Sequence, residues 1–453
     1  MKKVICTVIL GTSLLASCGL YRKYESQSVV PEDVFGTQKV NQESNLADMG
    51  WRQMFADSKL QTLIQKALTN NTEAKTALMR MQQAEISYKA ARMAYLPTVA
   101  FAPTVQVLKQ GAKSGELTYS LGAQASWELD IFGAGITNAK RKAKSAAKYA
   151  TDYEQAVECR LVSTVAALYY ELLALDQQTE IQRQMIVLYE QVYEDVKTLY
   201  ETGHYTSPAV HQTSAQLEQL KTNLIDLQHL IISVEHSLCE VLDEPYHTIE
   251  RGILSDVVMP ASIGVGVPAD LLRLRPDVRV AERNIEMAFY DVQLARCAMF
   301  PALTLTAKGG WQRLTEDAGL LDPKIWFIQG IGSLVQPIFQ GGRLRANLKI
   351  KKIDQQIAVE EFRKIVIKAG HEVTNALVKC QMAVEKKPHI EHTVAELREA
   401  VMANQELMNY GNATYLEVLS SLQELLQAQQ LQVDNQIAGL QALVELYSAL
   451  GGK

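Results

Sequence analysis

The sequence predicts a mostly α-helical chain with a membrane β-barrel part, built from a duplicated helix-strand-strand-helix-helix unit. Three observations carry this reading: very long stretches free of Gly and Pro, short segments of period-two alternation, and an ordered series of matches between the two halves. The composition agrees. A chain of 453 residues, 47% hydrophobic, with only 25 glycines and 12 prolines, is a folded protein with long uninterrupted elements. A formal charge of −5, with no basic stripe beyond short helical runs, argues against nucleic acid as a main partner. After residue 17 no stretch reaches the ~20 apolar residues of a spanning helix. A membrane role therefore falls to an anchor or a barrel.

Residues 1–17 read as a secretory signal: Lys2 and Lys3, then the apolar run 4–15, then Leu15-Ala16-Ser17-Cys18. The end of this segment resembles a bacterial lipobox, in which Cys18 becomes the lipidated first residue of the mature chain. Two or more acyl chains hold firmly, since each buried CH₂ contributes ~0.8 kcal/mol and a single chain is marginal. Gly19 is not the Asp that resembles an inner-membrane retention signal, which favours the outer membrane. Loss of Lys2 and Lys3 shifts the formal charge from −5 to −7. Residues 18–45 are then a lipid-anchored N-terminal extension. The remaining Cys159, Cys239, Cys297 and Cys380 sit singly, with no CxxC, and read as small buried hydrophobes.

The duplication is read from constant offsets. Ala77, Ala84, Ala91, Arg92, Ala94 and Pro97 match Ala281, Ala288, Ala295, Arg296, Ala298 and Pro301 at a shift of 204. Ile131-Phe132 and Gly135 match Ile338-Phe339 and Gly342 at 207, and Gly203 and Val210 match Gly411 and Val418 at 208. Matches that stay in order with small insertions indicate two repeats, 46–254 and 269–453, joined by a Gly- and Pro-containing linker at 255–268.

Within the first repeat, strands are expected at about 98–108 and 118–130. In the latter, Tyr119, Leu121, Ala123, Ala125, Trp127 and Leu129 alternate with polar or small residues, giving one greasy and one wet face. In the second repeat strands are expected at about 302–313 and 325–339, the last alternating poorly. The long helix 136–202 contains no Gly or Pro, and its Leu161, Val165, Leu168, Leu172 and Leu175 step by four and three as a heptad seam. Gly203 ends it, and Pro208 suits the first turn of the returning helix 208–243. The second repeat has the counterparts 343–410 and 413–450, where Gly370 interrupts the pattern and Pro388 is expected to kink or break the helix.

Four amphipathic strands cannot close a spanning barrel, for which the smallest number is about eight, and their edges would stay open. The chain is therefore expected to lend its strands to a barrel shared between copies. Tyr119, Trp127, Trp311 and Trp326 sit near strand ends, as interface aromatics would. A soluble sheet packed on helices is the alternative.

Several stretches, in order, resemble the outer-membrane efflux proteins of the TolC-like family, in particular the lipoprotein branch serving resistance-nodulation-division pumps. These are Asp57-Ser58-Lys59-Leu60 with Leu63-Ile64; Leu271-Leu272-Arg273-Leu274-Arg275-Pro276-Asp277-Val278-Arg279 with Ala281-Glu282; Pro337-Ile338-Phe339-Gln340-Gly341-Gly342-Arg343; and Tyr415-Leu416-Glu417-Val418-Leu419 with Ala449-Leu450-Gly451-Gly452. The resemblance implies a homotrimer with a twelve-stranded barrel in outer-membrane lipid and a long periplasmic α-helical coiled-coil tunnel. It further implies docking on a periplasmic adaptor (membrane fusion) protein and a resistance-nodulation-division inner-membrane transporter. The chain would be a passive exit duct for drugs or other small amphiphiles, with no catalytic residue, cofactor or metal. By the same resemblance the tips Thr202, Gly203, His204 and Tyr410, Gly411, Asn412 meet the adaptor, and Leu416, Glu417 and Ser420 line the periplasmic gate. Ser420 stands where many relatives carry Asp, which suggests a gate less able to bind cations. A duct for metal ions or secreted protein, and a pore-less lipid-anchored coiled-coil scaffold, are the alternatives.

Other constellations are sparse. His389 and His392, or His236 and Cys239, offer two ligands each, too few for a site. His371-Glu372 lacks the second His of a zincin motif, and Gly264-Val265-Gly266 lacks the rest of a phosphate cradle. The basic run Lys140, Arg141, Lys142, Lys144, Lys148 reads as a solvated helix face.

Overall fold

The computed structural model describes residues 22–26, 50–108, 116–131, 135–257, 275–313 and 326–452. Signal residues 1–17, Cys18 and most of the 18–45 extension and the 255–268 linker lie outside them. The elements in order are α1 (Trp51–Met54), α2 (Ser58–Asn70), α3 (Thr72–Met93), β1 (Thr98–Phe101), β2 (Thr104–Leu108), β3 (Glu116–Leu129), α4 (Gly135–Glu201), α5 (Ser207–Leu242), a 3₁₀ turn (Leu254–Asp256), α6 (Pro276–Cys297), β4 (Ala302–Arg313), β5 (Trp326–Val335), α7 (Arg343–Asn409) and α8 (Tyr415–Ala449). They form two compact units, and neither is a sequence repeat. One takes its described residues from 79–152 and 280–364 together with the short segment 22–26; the other takes them from 50–78, 153–279 and 365–452. Each unit draws on both repeats, because the elements that pair in space come from opposite halves of the chain.

The first unit contains the sheet. Its order is β1-β3-β4-β5, all antiparallel, with β2 pairing β3 beyond β1. The expected strand at 98–108 is thus two segments on one partner. The register passes from Phe101 opposite Ala123 to Thr104 opposite Ser120 without a slip. Pro103, which has no N–H to donate, interrupts the ladder, while Ala102 still donates to the Gly122 carbonyl at 2.9 Å. The last strand ends at Val335 rather than 339, just before Pro337, where Gln336 turns away to donate to the Met299 carbonyl at 2.8 Å.

Register sorts the side chains by polarity. Leu121, Ala125, Trp127 and Leu129 lie opposite Trp311, Ala307, Leu305 and Leu303, while Gln124, Ser126 and Glu128 lie opposite Lys308, Thr306 and Thr304. One face is therefore apolar across all strands. The other carries the polar set and also the close pair Gly122 and Gly310, where a Cβ on either would overlap the backbone of the facing strand. The two backbones approach too closely there for any residue but Gly.

The second unit is a helical core. Asp57 caps α2 by accepting from the Lys59 and Leu60 amides, and its other oxygen accepts from the Tyr169 hydroxyl at 2.5 Å. Tyr169 in turn accepts from the Gly252 amide at 3.0 Å. Around this network, Phe55, Leu60 and Ile64 share a core with Tyr169, Leu172 and Leu173 of α4, Leu238 and Leu242 of α5, and Val444 and Tyr447 of α8. The buried stripe of α4 is wider than a heptad seam: Val162, Ala166 and Leu173 are buried beside Leu161, Val165 and Leu172. The reason is two neighbours: Gln182 donates to the Leu220 carbonyl on α5, and Tyr189 donates to the Leu419 carbonyl on α8.

Helix α7 runs unbroken from Arg343 to Asn409 with Pro388 inside it. The sequence expectation of a break is corrected here. Pro388 lies on an exposed face, where water can satisfy the freed carbonyl. Ala383, Ile390 and Val394 hold the same stretch by burial, and Asn435 of α8 donates to the Ala383 carbonyl at 2.9 Å. The motif at the start of α6 acts as a clamp. Arg275, only 5% exposed, binds Asp277 (3.0 and 2.8 Å), Glu372 of α7 (2.6 Å) and the Ala449 carbonyl ending α8 (3.1 Å). Burial works against the charge of Asp277, but Arg275 prevails and lowers its pKa.

The glycine pair makes a test. Gly310→Val places a branched side chain against the Leu121 carbonyl, an overpacking that costs about 1–3 kcal/mol or more. The expected result is loss of the folded, heat-modifiable form on gel electrophoresis, whereas Gly330→Ala, which meets nothing within 4 Å, leaves it intact.

Candidate functional site

Two features of the chain face outward with nothing described against them: the apolar sheet face in the first unit and the helical tips in the second. The sheet face is long enough to matter. From Leu303 to Trp311, both on that face, the strand rises about 27 Å at ~3.4 Å per residue, the scale of the ~25 Å apolar band of outer-membrane barrels. Val99, Phe101, Val105, Ile328 and Leu334 on this face are exposed. Trp311 and Trp326 stand opposite each other at one end. Trp127 lies toward the other end, its indole N–H donating to the Tyr95 carbonyl at 2.9 Å. An apolar body with a satisfied polar edge is what a membrane boundary selects. No described helix is long and apolar enough to cross a membrane.

The two helical hairpins of the second unit end in the same turn. At the first, Gly203 has φ +83°, its amide donates to the Tyr200 carbonyl at 3.0 Å, and the His204 amide donates to Leu199 at 2.8 Å. At the second, Gly411 has φ +73°, its amide donates to Met408 at 2.9 Å, and the Asn412 amide donates to Leu407 at 2.9 Å. This is the Schellman closure, and the left-handed residue favours Gly. Thr202, Gly203, His204, Tyr410, Gly411 and Asn412 are all exposed. Behind them the Tyr205 and Tyr415 rings meet edge to face at 5.3 Å, and the Tyr205 hydroxyl accepts from the Tyr415 amide at 3.1 Å. That pair ties the two tips together.

Leu416, Glu417 and Ser420 share one exposed face of α8 opposite the buried Val418, Leu419 and Leu422. Glu417 is not a free acid. Its carboxylate accepts from the Thr414 amide (2.6 Å) and hydroxyl (3.0 Å), while the Glu417 amide donates back to Thr414 Oγ1 at 3.4 Å, closing a capping box. The Thr414 backbone bond, then its hydroxyl, lower the Glu417 pKa. The spacing Thr414-x-x-Glu417 signals this box in the sequence. The tyrosine pair and the Arg275 clamp carry no comparable sequence signal.

Of the remaining histidines and cysteines, Cys239 Sγ lies 3.7 Å from His247 Nδ1. His392 lies 3.8 Å from Glu396, and His236 stacks on Tyr246 at 4.3 Å. Among the described residues no group of three or more His, Cys, Asp or Glu could hold a metal ion. Cys159, Cys239 and Cys380 are buried free thiols, and Cys297 is half-buried.

An amphipathic sheet with open edges and paired helical hairpins define a membrane-inserted channel subunit rather than a soluble helical protein. The profile of the outer membrane efflux protein family matches residues 63–242 and 267–452, and the chain belongs to that family. It is 28% identical to the cation efflux system protein CusC of Escherichia coli K12, over 97% of both chains. It is 26% identical to the toluene efflux pump outer membrane protein TtgC of Pseudomonas putida, over all of this chain and 96% of the relative. It is 30% identical to the pyoverdine export outer membrane protein OpmQ of Pseudomonas aeruginosa, over 89% of this chain and 87% of the relative. The crystal structure of CusC superposes with a TM-score of 0.85 at 25% identity, covering 96% of this chain and all of that one. The outer-membrane channel OprN gives 0.88 at 20% identity, covering 96% and 99%. The chain is thus an outer-membrane efflux channel with the helical-tunnel and barrel fold, a component of the exit duct of a tripartite pump. Channels of this family are homotrimers.

The capping box gives a pH test. The folded Glu417 pKa is lowered, so the box supports the start of α8 above the ordinary carboxylate pKa and loses that support as pH falls through the folded value. The protection of amides 412–418, taken as their exchange rate relative to the intrinsic rate at each pH, is expected to fall on acidification. Thr414→Ala, which removes the cap at a cost of about 1 kcal/mol, produces the same loss of protection at neutral pH.

Proposed function

We propose that the chain is the passive exit duct of a pump for drugs or other small amphiphiles, docked through its two glycine tips on a periplasmic adaptor driven by a resistance-nodulation-division transporter. The twin tips carry this reading. They are two exposed, rigidly closed turns of the same geometry, 208 residues apart, and tied to each other by Tyr205 and Tyr415. In a trimer they supply six matching knobs, a repeated surface suited to a repeated partner. Leu416, Glu417 and Ser420, on the exposed face just past the second tip, line the periplasmic gate. Leu416 is the apolar plug. Glu417 supplies negative charge already engaged by Thr414, and Ser420 adds none, so the ring is a weak cation trap. Cys18 carries the lipid anchor, which acts alongside the barrel.

Export of metal ions is the second reading, supported by the 28% identity to CusC over 97% of the chain. The two readings separate by deleting the chain from its host. Heightened sensitivity to amphiphilic drugs supports the first, and heightened sensitivity to metal cations alone overturns it.

Leu416→Ser is expected to raise single-channel conductance in planar bilayers, and unchanged conductance would remove Leu416 from the gate. Cysteines at Thr202 and Asn412 are expected to cross-link to the adaptor, whereas one at exposed Gln381, far along α7 in sequence, is not. Cys18→Ser is expected to abolish labelling by radioactive palmitate.

A further inference from the structure

The four passages between helix and strand lie at one end of the sheet: β1 and β4 begin there and β3 and β5 end there, as the pairs Thr98 with Ser126, Leu129 with Leu303 and Ala302 with Val335 require. In sequence these passages are the stretches 89–97, 130–148, 292–301 and 336–352. Together they hold 13 Lys and Arg against a single acid, Asp130. Asp130 is already engaged, its carboxylate accepting from the Thr137 amide (2.8 Å) and hydroxyl (2.6 Å) at the start of α4. In a chain with a net charge of −5 this imbalance is local.

The cations also recur by repeat. Arg92 and Arg296 stand at the same distance before β1 and β4, and Lys142 and Lys144 match Lys349 and Lys351 at the shift of 207. Neighbouring acids take only some of them: Lys142 pairs with Asp291 at 2.6 Å, and Lys351 with Asp354 at 3.0 Å. Lys89, Arg92, Lys144, Arg345, Lys349 and Lys352 have no carboxylate partner among the described residues, and all six are exposed. Between the cations and the strands runs an apolar fringe: Met93, Leu96 and Ile131 are exposed, and Ile338 and Phe339 are 95% and 86% exposed. The fringe continues the lipid-facing sheet.

We propose that these passages form a collar that binds anionic glycerophospholipid, the apolar fringe seating in the acyl region and the unpaired Lys and Arg holding headgroup phosphates of the periplasmic leaflet. Continuity with the membrane-facing sheet selects lipid as the occupant. A basic segment beside an apolar insertion is the arrangement that attracts anionic leaflets. The duplicated positions make the collar two-fold repeated within each subunit, so it encircles the whole barrel base.

The test uses the purified full-length trimer in bilayer discs of mixed phosphatidylethanolamine and phosphatidylglycerol, with the retained lipid counted by mass spectrometry after detergent extraction. Phosphatidylglycerol is expected to be enriched about five-fold over the bulk mixture, with enrichment falling as salt rises. The variant Arg92→Gln/Arg345→Gln/Lys349→Gln/Lys352→Gln is expected to lose the enrichment, while Lys364→Gln/Lys386→Gln/Lys387→Gln keeps it. Equal retention of the two lipids by the native trimer overturns the proposal. So does enrichment that survives in the collar variant. Displacement by millimolar inorganic phosphate would show a generic anion site and overturn the lipid assignment. If the collar variant fails to form trimers, the native trimer's lipid ratio and its salt dependence decide alone.

Discussion

A sheet in lipid cannot leave its edges open, because hydrocarbon offers no partner to an unpaired N–H or C=O. This constraint governs the whole chain. Among the described residues of one copy the ladder runs from β1 and β2 through β3 and β4 to β5 and then stops, with the outer edges of β1, β2 and β5 unpaired. Only other copies can supply the missing partners, and three copies of four strand positions close a barrel of twelve. The strand count, the amphipathic alternation and the homotrimeric state of the family are then one fact seen three ways. The central β3–β4 ladder is the longest of the pairings and joins strands from the two halves of the chain, so each half brings one outer edge.

The helices answer a different demand. A helix packed on a single partner needs one narrow stripe, but α4 meets α5 on one side and α8 on another, and its buried surface widens accordingly. The polar fastenings sit where chain ends must be fixed. Asp57 with Tyr169 and Gly252 secures the start of the helical unit and the segment after α5, and Arg275 secures the last turn of α8. Removing one member of such a buried network leaves the others unpaired, which is why each costs more than an average hydrogen bond.

Much of this was legible in the sequence because its signals are local and periodic. The alternation of 119–129 and the seam of 161–175 follow directly from pleat and helix geometry. The failures have physical causes. β5 alternates poorly because Phe327, Ile331 and Val335 fall on the otherwise polar face while Gly330 and Gly332 occupy the apolar one. The strand expected at 98–108 is divided because Pro103 has no donor to give the ladder. Pro388 looked incompatible with a continuous helix, yet Asn435 and flanking burial carry the helix through. At the tips the glycines announce the turn, whereas the Tyr205–Tyr415 contact joins residues 210 apart and has no local signature. Glu417 resembles a lumen acid by position, but the spacing Thr414-x-x-Glu417 is also a capping-box signature, and the geometry shows that box closed.

The four described cysteines have a consequence of their own. Burial pushes the thiols of Cys159 and Cys380 up to about 11 and raises Cys297 as well, so in the folded chain the reactive thiolate is scarce at neutral pH. Cys239 is shielded by burial in α5. Yet the chain reaches the outer membrane through an oxidising compartment, and before the helices pack all four thiols are exposed. Folding is then a race against oxidation. A change that merely delays helix packing, without weakening the finished structure, would be recorded as mispaired chains that never assemble.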